Sequence, residues 1–282
     1  MSGLNIFAKI NGIVSQVPGC LLNAITPSST YSRTKGQAFG TGRRDKLDIY
    51  RAKNPKPDAP VLIFIHGGAW DRGSKTTYKF LAEGFTKSGY DIVVPNYRLY
   101  PNAIYPEFLE DNARAVAFTA EHFLGRPIVL MGHSAGGYNV LMLALRDGFL
   151  AKVGVNLCET VKGVVSLSAP VGVIPLEGHP LIDIFPDRHA GDDGILNSVF
   201  APTPPFFLGH GQEDPIVNPV NSTLLAEKVT ARGGEVVVKI YPGLKHVGPI
   251  KVLSRYFEKD SALKSDILEF IEGLSLQGKS CR

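Results

Sequence analysis

Two hydrophobic patterns alternate along this chain. Short, continuous apolar runs such as Val61–Ile65 are typical of strands buried in the middle of a parallel sheet. Longer segments place apolar residues three or four positions apart, which is the period of an amphipathic helix. The apolar runs predict strands at 61–65, 92–94, 128–131, 161–167, 205–211 and 236–241. The helical periods predict helices at 78–87, 107–123, 220–231 and 261–274.

The order of these elements predicts an α/β fold. Strands that alternate with helices build a mostly parallel central sheet with helices on both faces. The alternating segment Leu47–Tyr50 adds an antiparallel strand at the start. We therefore predict one domain over 47–282 and an N-terminal extension over 1–46. Residues 170–205 are rich in proline and glycine and lack long periodic runs, so we expect a small lid-like excursion over the carboxyl ends of the strands.

The first residues of the chain form a pattern of their own. Apolar side chains at steps of three and four predict an amphipathic helix over 4–17. Polar residues interrupt the apolar core that a signal peptide needs, so we favour a helix that packs on the domain or lies near the mouth of the site. A cleaved signal segment is the alternative. No run of 18 or more apolar residues occurs, so no membrane span is expected.

Composition narrows the class of protein. The 282 residues carry a net charge of +4 that is spread along the chain, which argues against a nucleic-acid partner. Cys20, Cys158 and Cys281 are widely separated and form neither a disulfide framework nor a metal-ligand cluster in the sequence. This pattern fits a reducing compartment and predicts a cytoplasmic protein, with a secreted or periplasmic location left open. The sequence implies no metal or organic cofactor, and it does not determine the oligomeric state.

A candidate nucleophile lies between a predicted strand and a predicted helix. Residues Gly132–Gly136 read Gly-His-Ser-Ala-Gly. In that context the glycines permit a sharp turn that exposes the hydroxyl of Ser134 at the carboxyl end of the strand. A phosphate-binding loop would need lysine followed by serine or threonine after Gly137, where this chain has Tyr138 and Asn139. We therefore predict a nucleophilic serine and exclude a phosphate loop.

A serine hydroxyl needs a base, and the base needs a third group that orients it. Among the seven histidines, His246 follows the last predicted strand and comes after every plausible acid. That gives the chain order serine, acid, histidine. The turn after the penultimate strand offers Asp214, which its short side chain and the following proline favour over Glu213. A helix cap is the other interpretation of Asp214, but its position one helix and one strand before His246 fits a triad better.

The loop His66–Trp70 follows the 61–65 strand and reads His-Gly-Gly-Ala-Trp. Glycines let main-chain N–H groups approach a developing oxyanion closely, so we interpret this segment as an oxyanion loop, anchored by His66. A simple glycine turn is the alternative. The predicted oxyanion donors are the N–H groups of Gly68, Ala69 and Ala135. The predicted substrate contacts are Trp70, which could instead be a core residue, and His133.

Together, the His66–Trp70 loop, the Gly132–Gly136 turn, Asp214 and His246 resemble the α/β-hydrolase superfamily. Within it, the chain is similar, from about residue 47 to 274, to small esterases with an HGG-type oxyanion loop. These include kynurenine formamidases and the hormone-sensitive-lipase-like and feruloyl-esterase-like enzymes. Residues 96–99, Asn-Tyr-Arg-Leu, resemble the Asp-Tyr-Arg-Leu segment that braces the oxyanion loop in these families.

The resemblance implies the α/β-hydrolase fold and a serine carboxylic-ester hydrolase that acts on short-chain or aryl esters through an acyl-enzyme. Two alternatives stay open. One is an arylformamidase that hydrolyses amides of the N-formylkynurenine type. The other, from a different class, is a non-catalytic protein that binds a ligand on a hydrolase scaffold. The expected partner in each case is a small molecule.

Overall fold

The computed structural model describes residues 19–146, 148–172, 179–186, 194–199 and 202–281. The helix predicted over 4–17 lies outside these residues. Within the described part of the chain, no helix has the length and apolarity to cross a lipid bilayer.

An eight-stranded sheet forms the centre of the structure, with the strand order β1-β2-β4-β3-β5-β6-β7-β8. The strands β1 and β2, and β2 and β4, pair in antiparallel fashion, whereas every pair from β4 to β8 is parallel. The sheet is therefore mostly parallel, as predicted. The strands are β1 Tyr31–Ala38, β2 Lys46–Ala52, β3 Val61–Ile65, β4 Ile92–Pro95, β5 Ile128–His133, β6 Val161–Leu167, β7 Phe206–Gly211 and β8 Val236–Tyr241.

Helices cover both faces of this sheet. The longer ones among the described residues are α1 Gly19–Ile25, α2 Lys79–Thr86, α3 Glu107–His122, α4 Ala135–Leu145, α5 Val220–Thr230 and α6 Leu263–Gly273. Single-turn helices lie at Gly148–Ala151, Leu157–Thr160, Leu181–Ile184 and Gly248–Lys251, and short 3₁₀ helices at Lys75–Tyr78 and Leu196–Ser198. The four helices predicted between residues 78 and 274 are confirmed, with no end moved by more than two residues.

The continuous apolar run of β3 has a direct structural cause. Successive side chains of a strand point to opposite faces of the sheet, and both faces are covered here. Ile63 lies in the cluster built with α3, α4 and α5, whereas Leu62 and Phe64 lie in the cluster built with α1, α2 and α6. All five residues of β3 are fully buried. A polar residue at any of these positions would lose its hydration without gaining a partner.

The N-terminal boundary of the predicted domain is wrong. The predicted boundary lies after residue 46, but β1 pairs with β2 along most of its length, so Tyr31–Ala38 forms a strand of the central sheet. Leu22 of α1 also packs into the core. The sequence of β1 concealed this strand because its side chains are mostly polar and partly or fully exposed, without an apolar alternation.

Only parts of the excursion at 170–205 are described. The short helix Leu181–Ile184 docks against the domain, since the Tyr105 N–H donates to the Ile184 carbonyl at 2.8 Å. Phe185 is buried against Trp70, with 4.9 Å between ring centroids. These contacts tie the excursion to the predicted oxyanion loop. Its role as a lid stays a prediction.

The expectation drawn from the cysteines is also wrong. Cys158 and Cys281 form a disulfide across 123 positions of sequence. The C-terminal segment lies against the start of β6, where the Ser280 N–H donates to the Cys158 carbonyl at 2.8 Å. Since disulfides persist chiefly in oxidising compartments, the cysteines give no support to a reducing one.

Candidate active site

The Gly132–Gly136 turn joins β5 to α4 at the carboxyl edge of the sheet. Ser134 has φ 53° and ψ −121°, a backbone conformation that side-chain-bearing residues rarely adopt. A Cβ at Gly132 would lie 2.1 Å from the Gly136 carbonyl oxygen, and one at Gly136 would lie 2.0 Å from that of Ile65. No side chain fits at either position. The glycines thus permit the sharp turn that projects the serine.

Ser134, His246 and Asp214 form a continuous chain of hydrogen bonds. The Ser134 hydroxyl lies 2.9 Å from Nε2 of His246, and Nδ1 of His246 lies 2.7 Å from Oδ2 of Asp214. The carboxylate is an acceptor only, so Nδ1 carries a hydrogen and Nε2 of the neutral ring is free to accept the serine proton. The structure therefore brings together the three residues predicted from their order in the chain. Glu213, the alternative acid, has an exposed side chain.

Asp214 is held as a carboxylate by several donors. Oδ1 accepts the main-chain N–H groups of Ile216 and Val217 at 2.9 and 3.0 Å. Burial by itself would raise the pKa of this carboxyl group, but hydrogen bonds from His210 and His246 outweigh it and hold the pKa well below its usual range. A permanently ionised acid keeps its partner imidazole in one tautomer and orientation.

The predicted oxyanion loop crosses directly over the nucleophile turn. A Cβ at Gly67 would lie 3.2 Å from Cβ of Ser134. Gly68 has φ 122° and Ala69 φ 49°. In the described part of the chain, neither of their N–H groups donates to a main-chain carbonyl. Ala135 begins α4, where first-turn N–H groups lack helical acceptors. These three N–H groups are thus available to a negatively charged oxygen.

Buried polar contacts support the predicted oxyanion loop on the side of the protein interior. His66 is fully buried, and its Nδ1 donates to the Gly67 carbonyl at 2.8 Å. Burial lowers the pKa of His66 to about 4, so the ring is neutral and serves as an anchor. The Tyr97 hydroxyl donates to the His66 carbonyl at 2.9 Å, and Asn96 Oδ1 accepts the Lys75 N–H at 2.7 Å. Asn96 thus supports the region through its amide oxygen, where the resembling families carry aspartate.

Two predicted substrate contacts have other surroundings. Trp70 is only 3% exposed, its ring packs edge-on against Tyr138 and Phe185, and its Nε1 donates to Oδ1 of Asn139 at 2.9 Å. These are the contacts of a core residue, which was the alternative interpretation. The cause is the apolar cluster between α3, α4 and the excursion, which the indole fills.

His133 is 5% exposed, and its Nε2 donates to the main-chain carbonyl of His246 at 2.8 Å. Burial lowers the pKa of His133 to about 3, so its ring is neutral. The ring therefore supports the loop that carries His246 and does not present a free polar atom at Nε2. Since it is the residue before Ser134, it links the turn that carries the nucleophile to the loop that carries His246.

Sequence reasoning did not identify the surroundings of His210. His210 precedes Asp214 in the chain, so the order serine, acid, histidine does not select it as the base, and in the structure His246 occupies that position. In the structure, Nε2 of His210 lies 3.3 Å from Oδ2 of Asp214. The only sequence signal was the spacing of four residues between them at the end of a strand. Residues 221–223, Asn-Ser-Thr, match the pattern of a glycosylation acceptor. Asn221 is only 4% exposed, however, and its Oδ1 accepts the Val171 N–H at 3.0 Å, so this side chain has a structural role.

Comparisons with known proteins agree with this architecture. Esterase B from Lactobacillus rhamnosis superposes with a TM-score of 0.77 at 18% identity, over 95% of this chain and 96% of the esterase. A truncated carbohydrate esterase from gut microbiota gives a TM-score of 0.73 at 18% identity, over 87% of this chain and 99% of that one. The chain has the α/β-hydrolase fold. Residues 47–180 also match the model of the BD-FAE family.

Several sequence relatives of this chain are longer proteins, which it matches over part of their length. A probable isoprenylcysteine alpha-carbonyl methylesterase of Arabidopsis thaliana is 25% identical over 74% of this chain and 49% of its own length. Esterase LipQ of Mycobacterium tuberculosis is 28% identical over 73% of this chain and 55% of its own. Kynurenine formamidase of Danio rerio is 30% identical over 39% of this chain and 38% of its own. The matches thus span roughly 40–55% of these relatives, and the predicted resemblance to esterases and formamidases is confirmed.

Proposed function

We propose that this protein is a serine carboxylic-ester hydrolase that acts on short-chain or aryl esters through an acyl-enzyme. The observation that carries the proposal is the hydrogen-bonded chain of Ser134, His246 and Asp214 beside three main-chain N–H groups for which the described residues supply no main-chain acceptor. Similarity to proteins named as esterases supports the reaction class. The substrate class remains part of the proposal, because these relatives are longer proteins.

The geometry supports a reaction in two halves. As the Ser134 oxygen attacks the ester carbonyl carbon, Nε2 of His246 takes the hydroxyl proton and Asp214 stabilises the resulting imidazolium. The carbonyl oxygen becomes an oxyanion and accepts hydrogen bonds from the N–H groups of Gly68, Ala69 and Ala135. Collapse of this intermediate breaks the bond to the alcohol, which leaves with the proton from His246.

The second half repeats these steps with water. His246 removes a proton from a water molecule, whose oxygen attacks the acyl carbon. A second oxyanion forms at the same N–H groups, and its collapse breaks the bond to Ser134. The serine oxygen regains its proton from His246, and the carboxylic acid is released. One base therefore serves both halves, since each half returns it to its neutral form.

Turnover of nitrophenyl acetate and butyrate tests the proposal directly. We expect wild-type activity to fall by about 10⁴-fold or more in Ser134→Ala and to remain in Ser275→Ala, an exposed serine near the C-terminus. A second triad deletion in the Ser134→Ala background should add little. Equal rates for wild type and Ser134→Ala would reject the nucleophile.

A second candidate function, arylformamidase activity, is favoured by the matches to two fish kynurenine formamidases. The same residues could hydrolyse an aryl formamide, with an aniline as the leaving group in place of an alcohol. Rates for an aryl formamide and the matched aryl formate ester separate the candidates. Absence of formamide turnover by an enzyme that cleaves the ester would remove this second function.

The non-catalytic alternative predicts an unreactive serine. A fluorophosphonate probe should label wild type at Ser134 and leave Ser134→Ala unlabelled. Labelling would exclude a binding protein on an inactive scaffold, whereas its absence in the folded protein would favour one.

We further propose that the 170–205 excursion shapes substrate access, because the described Phe185 packs against Trp70 of the oxyanion loop.

A further inference from the structure

Oδ2 of Asp214 lies between two imidazoles. Nδ1 of His246 lies 2.7 Å from it, and Nε2 of His210 lies 3.3 Å from it. The triad requires only the first of these contacts. His210 is fully buried on β7, where an imidazole without partners would cost free energy. The proposed reaction, as described above, assigns this second imidazole no role.

The partners of His210 fix its tautomer. Nε2 faces the carboxylate of Asp214 and the main-chain carbonyl of Val217, which lies 3.0 Å away. Both are acceptors, so Nε2 carries the hydrogen. Nδ1 then accepts a hydrogen bond from the Ser222 hydroxyl, whose oxygen lies 2.8 Å away. Ser222 belongs to the first turn of α5, so the ring is held from two separate elements.

These contacts continue the triad at its acid end. A line of polar contacts runs from Ser222 through His210, Asp214 and His246 to Ser134. Its link from His210 to Asp214 is a 3.3 Å contact of the N–H that also faces the Val217 carbonyl. We propose that His210 is a positioning residue for the ester hydrolysis proposed above: it holds Oδ2 of Asp214 toward His246, and Ser222 orients His210 for this task. The proposal rests on that function. His210 touches neither the nucleophile nor the imidazole that transfers protons.

The physical reason is the freedom of a carboxylate to rotate. The N–H groups of Ile216 and Val217 hold only Oδ1. A second donor on Oδ2 restricts the orientation of this oxygen and shares its negative charge. The ionisable side chains around this point are the carboxylate of Asp214 and the imidazoles of His133, His210 and His246. Loss of the His210 donor would leave more of the Oδ2 charge directed at His246.

A pair of substitutions separates this role from simple packing. In His210→Gln the side-chain amide can replace Nε2 as the donor to Asp214, whereas in His210→Asn the shorter amide reaches only the side of Ser222. We expect His210→Asn to lower kcat about tenfold, with KM changed by less than about twofold. We expect His210→Gln to retain most of the activity. The acidic limb of the profile of kcat/KM against pH should move to higher pH in His210→Asn but not in His210→Gln.

Ser222 provides a milder test that does not alter the buried ring. Ser222→Ala should lower kcat by about threefold and move the acidic limb in the same direction, whereas Ser222→Thr keeps the hydroxyl and should behave as wild type. The control is Thr223→Ala, on the next residue of α5, whose hydroxyl bonds only within its own helix to the Val220 carbonyl. Thermal unfolding of each variant establishes that it is folded.

A folded His210→Asn variant with wild-type kcat and an unmoved acidic limb would overturn the proposal. If both His210 variants fail to fold, wild-type kinetics in Ser222→Ala would overturn it instead. Failure of the proposed function gives a different result, namely no ester turnover by wild type. In that case the low-field proton resonance of Nδ1–H of His246 reports the same geometry without substrate. It should shift in His210→Asn or Ser222→Ala, and an unchanged resonance would contradict the positioning role.

Discussion

The disulfide between Cys158 and Cys281 allows a quantitative prediction about stability. The bond closes a loop with a sequence separation of 123. In the chain-entropy model, a loop of that length loses enough freedom in the unfolded state to stabilise the fold by about 5 kcal/mol, while measured effects are typically about 2–4 kcal/mol. Because whole domains are stable by roughly 5–15 kcal/mol, removal of the bond should be easily measured.

The perturbation is substitution of serine for either cysteine or for both. All variants, including the reference, carry Cys20→Ser, so that no free thiol can exchange with the remaining partner. Urea denaturation should show a loss of about 2–4 kcal/mol in the free energy of unfolding. The two single variants and the double variant should lose the same amount, since each removes the same bond.

Independent evidence for the bond comes from thiol titration. Under denaturing, non-reducing conditions the wild-type protein, with three cysteines, should expose one thiol, and after reduction it should expose all three. The reasoning would be refuted if the bond were present by this titration while the single and double variants unfolded at the same urea concentration as the reference. Additive losses in the double variant would also contradict it, because they would point to packing of the cysteine side chains.

Three further predictions concern the site and its support. Gly136→Ala should destabilise the fold by about 3 kcal/mol or more and abolish turnover, because the new Cβ would lie 2.0 Å from the Ile65 carbonyl oxygen. Melting temperature and ester turnover check this prediction. The control is Gly273→Ala, whose Cβ would meet open space and which should match wild type in both measurements. Stability should fall by at most about 3 kcal/mol per pH unit as the pH decreases from 6 toward 5. Buried His66 and His133, with pKa values near 4 and 3, stay neutral in the fold over this range, while the unfolded chain takes up a proton at each of them. Urea titrations that give a constant free energy of unfolding over this range would contradict the burial argument. Trp70→Phe should lower the free energy of unfolding by about 1–3 kcal/mol, because the hydrogen bond to Asn139 is lost. KM in steady-state assays should not change. A higher KM with unchanged stability would instead identify the indole as a substrate contact.

The sequence predicted features whose cause is local. The run at 61–65 is continuously apolar because both faces of its strand are covered, so this buried strand could be recognised without knowledge of its neighbours. The turn at Gly132–Gly136 was recognisable for a similar reason. Its glycines are required by contacts within a few residues and with the adjacent β3. The strand β1 lacked such a signal because most of its side chains reach solvent.

Features that depend on distant partners were harder to predict. The pairing of Cys158 with Cys281 depends on where the C-terminal segment crosses the start of β6, and no spacing in the sequence indicates that crossing. His133 looked like a substrate contact because it adjoins Ser134, yet its ring bonds to the carbonyl of His246, 113 positions away. The role inferred for His210 depends on α5, whose first turn supplies Ser222.

By itself, the sequence determined most of the strands, the longer helices from residue 78 onward, a sharply turned serine and a glycine loop, because each of these follows from propensities and contacts over short stretches. Tertiary structure decided which groups meet. Ser134 and His246 are 112 positions apart, and they lie 2.9 Å from each other because parallel pairing brings the carboxyl ends of β5, β7 and β8 to one edge of the sheet. It also decided which histidines surround the acid, since burial and hydrogen bonding are properties of the assembled neighbourhood and not of any single segment.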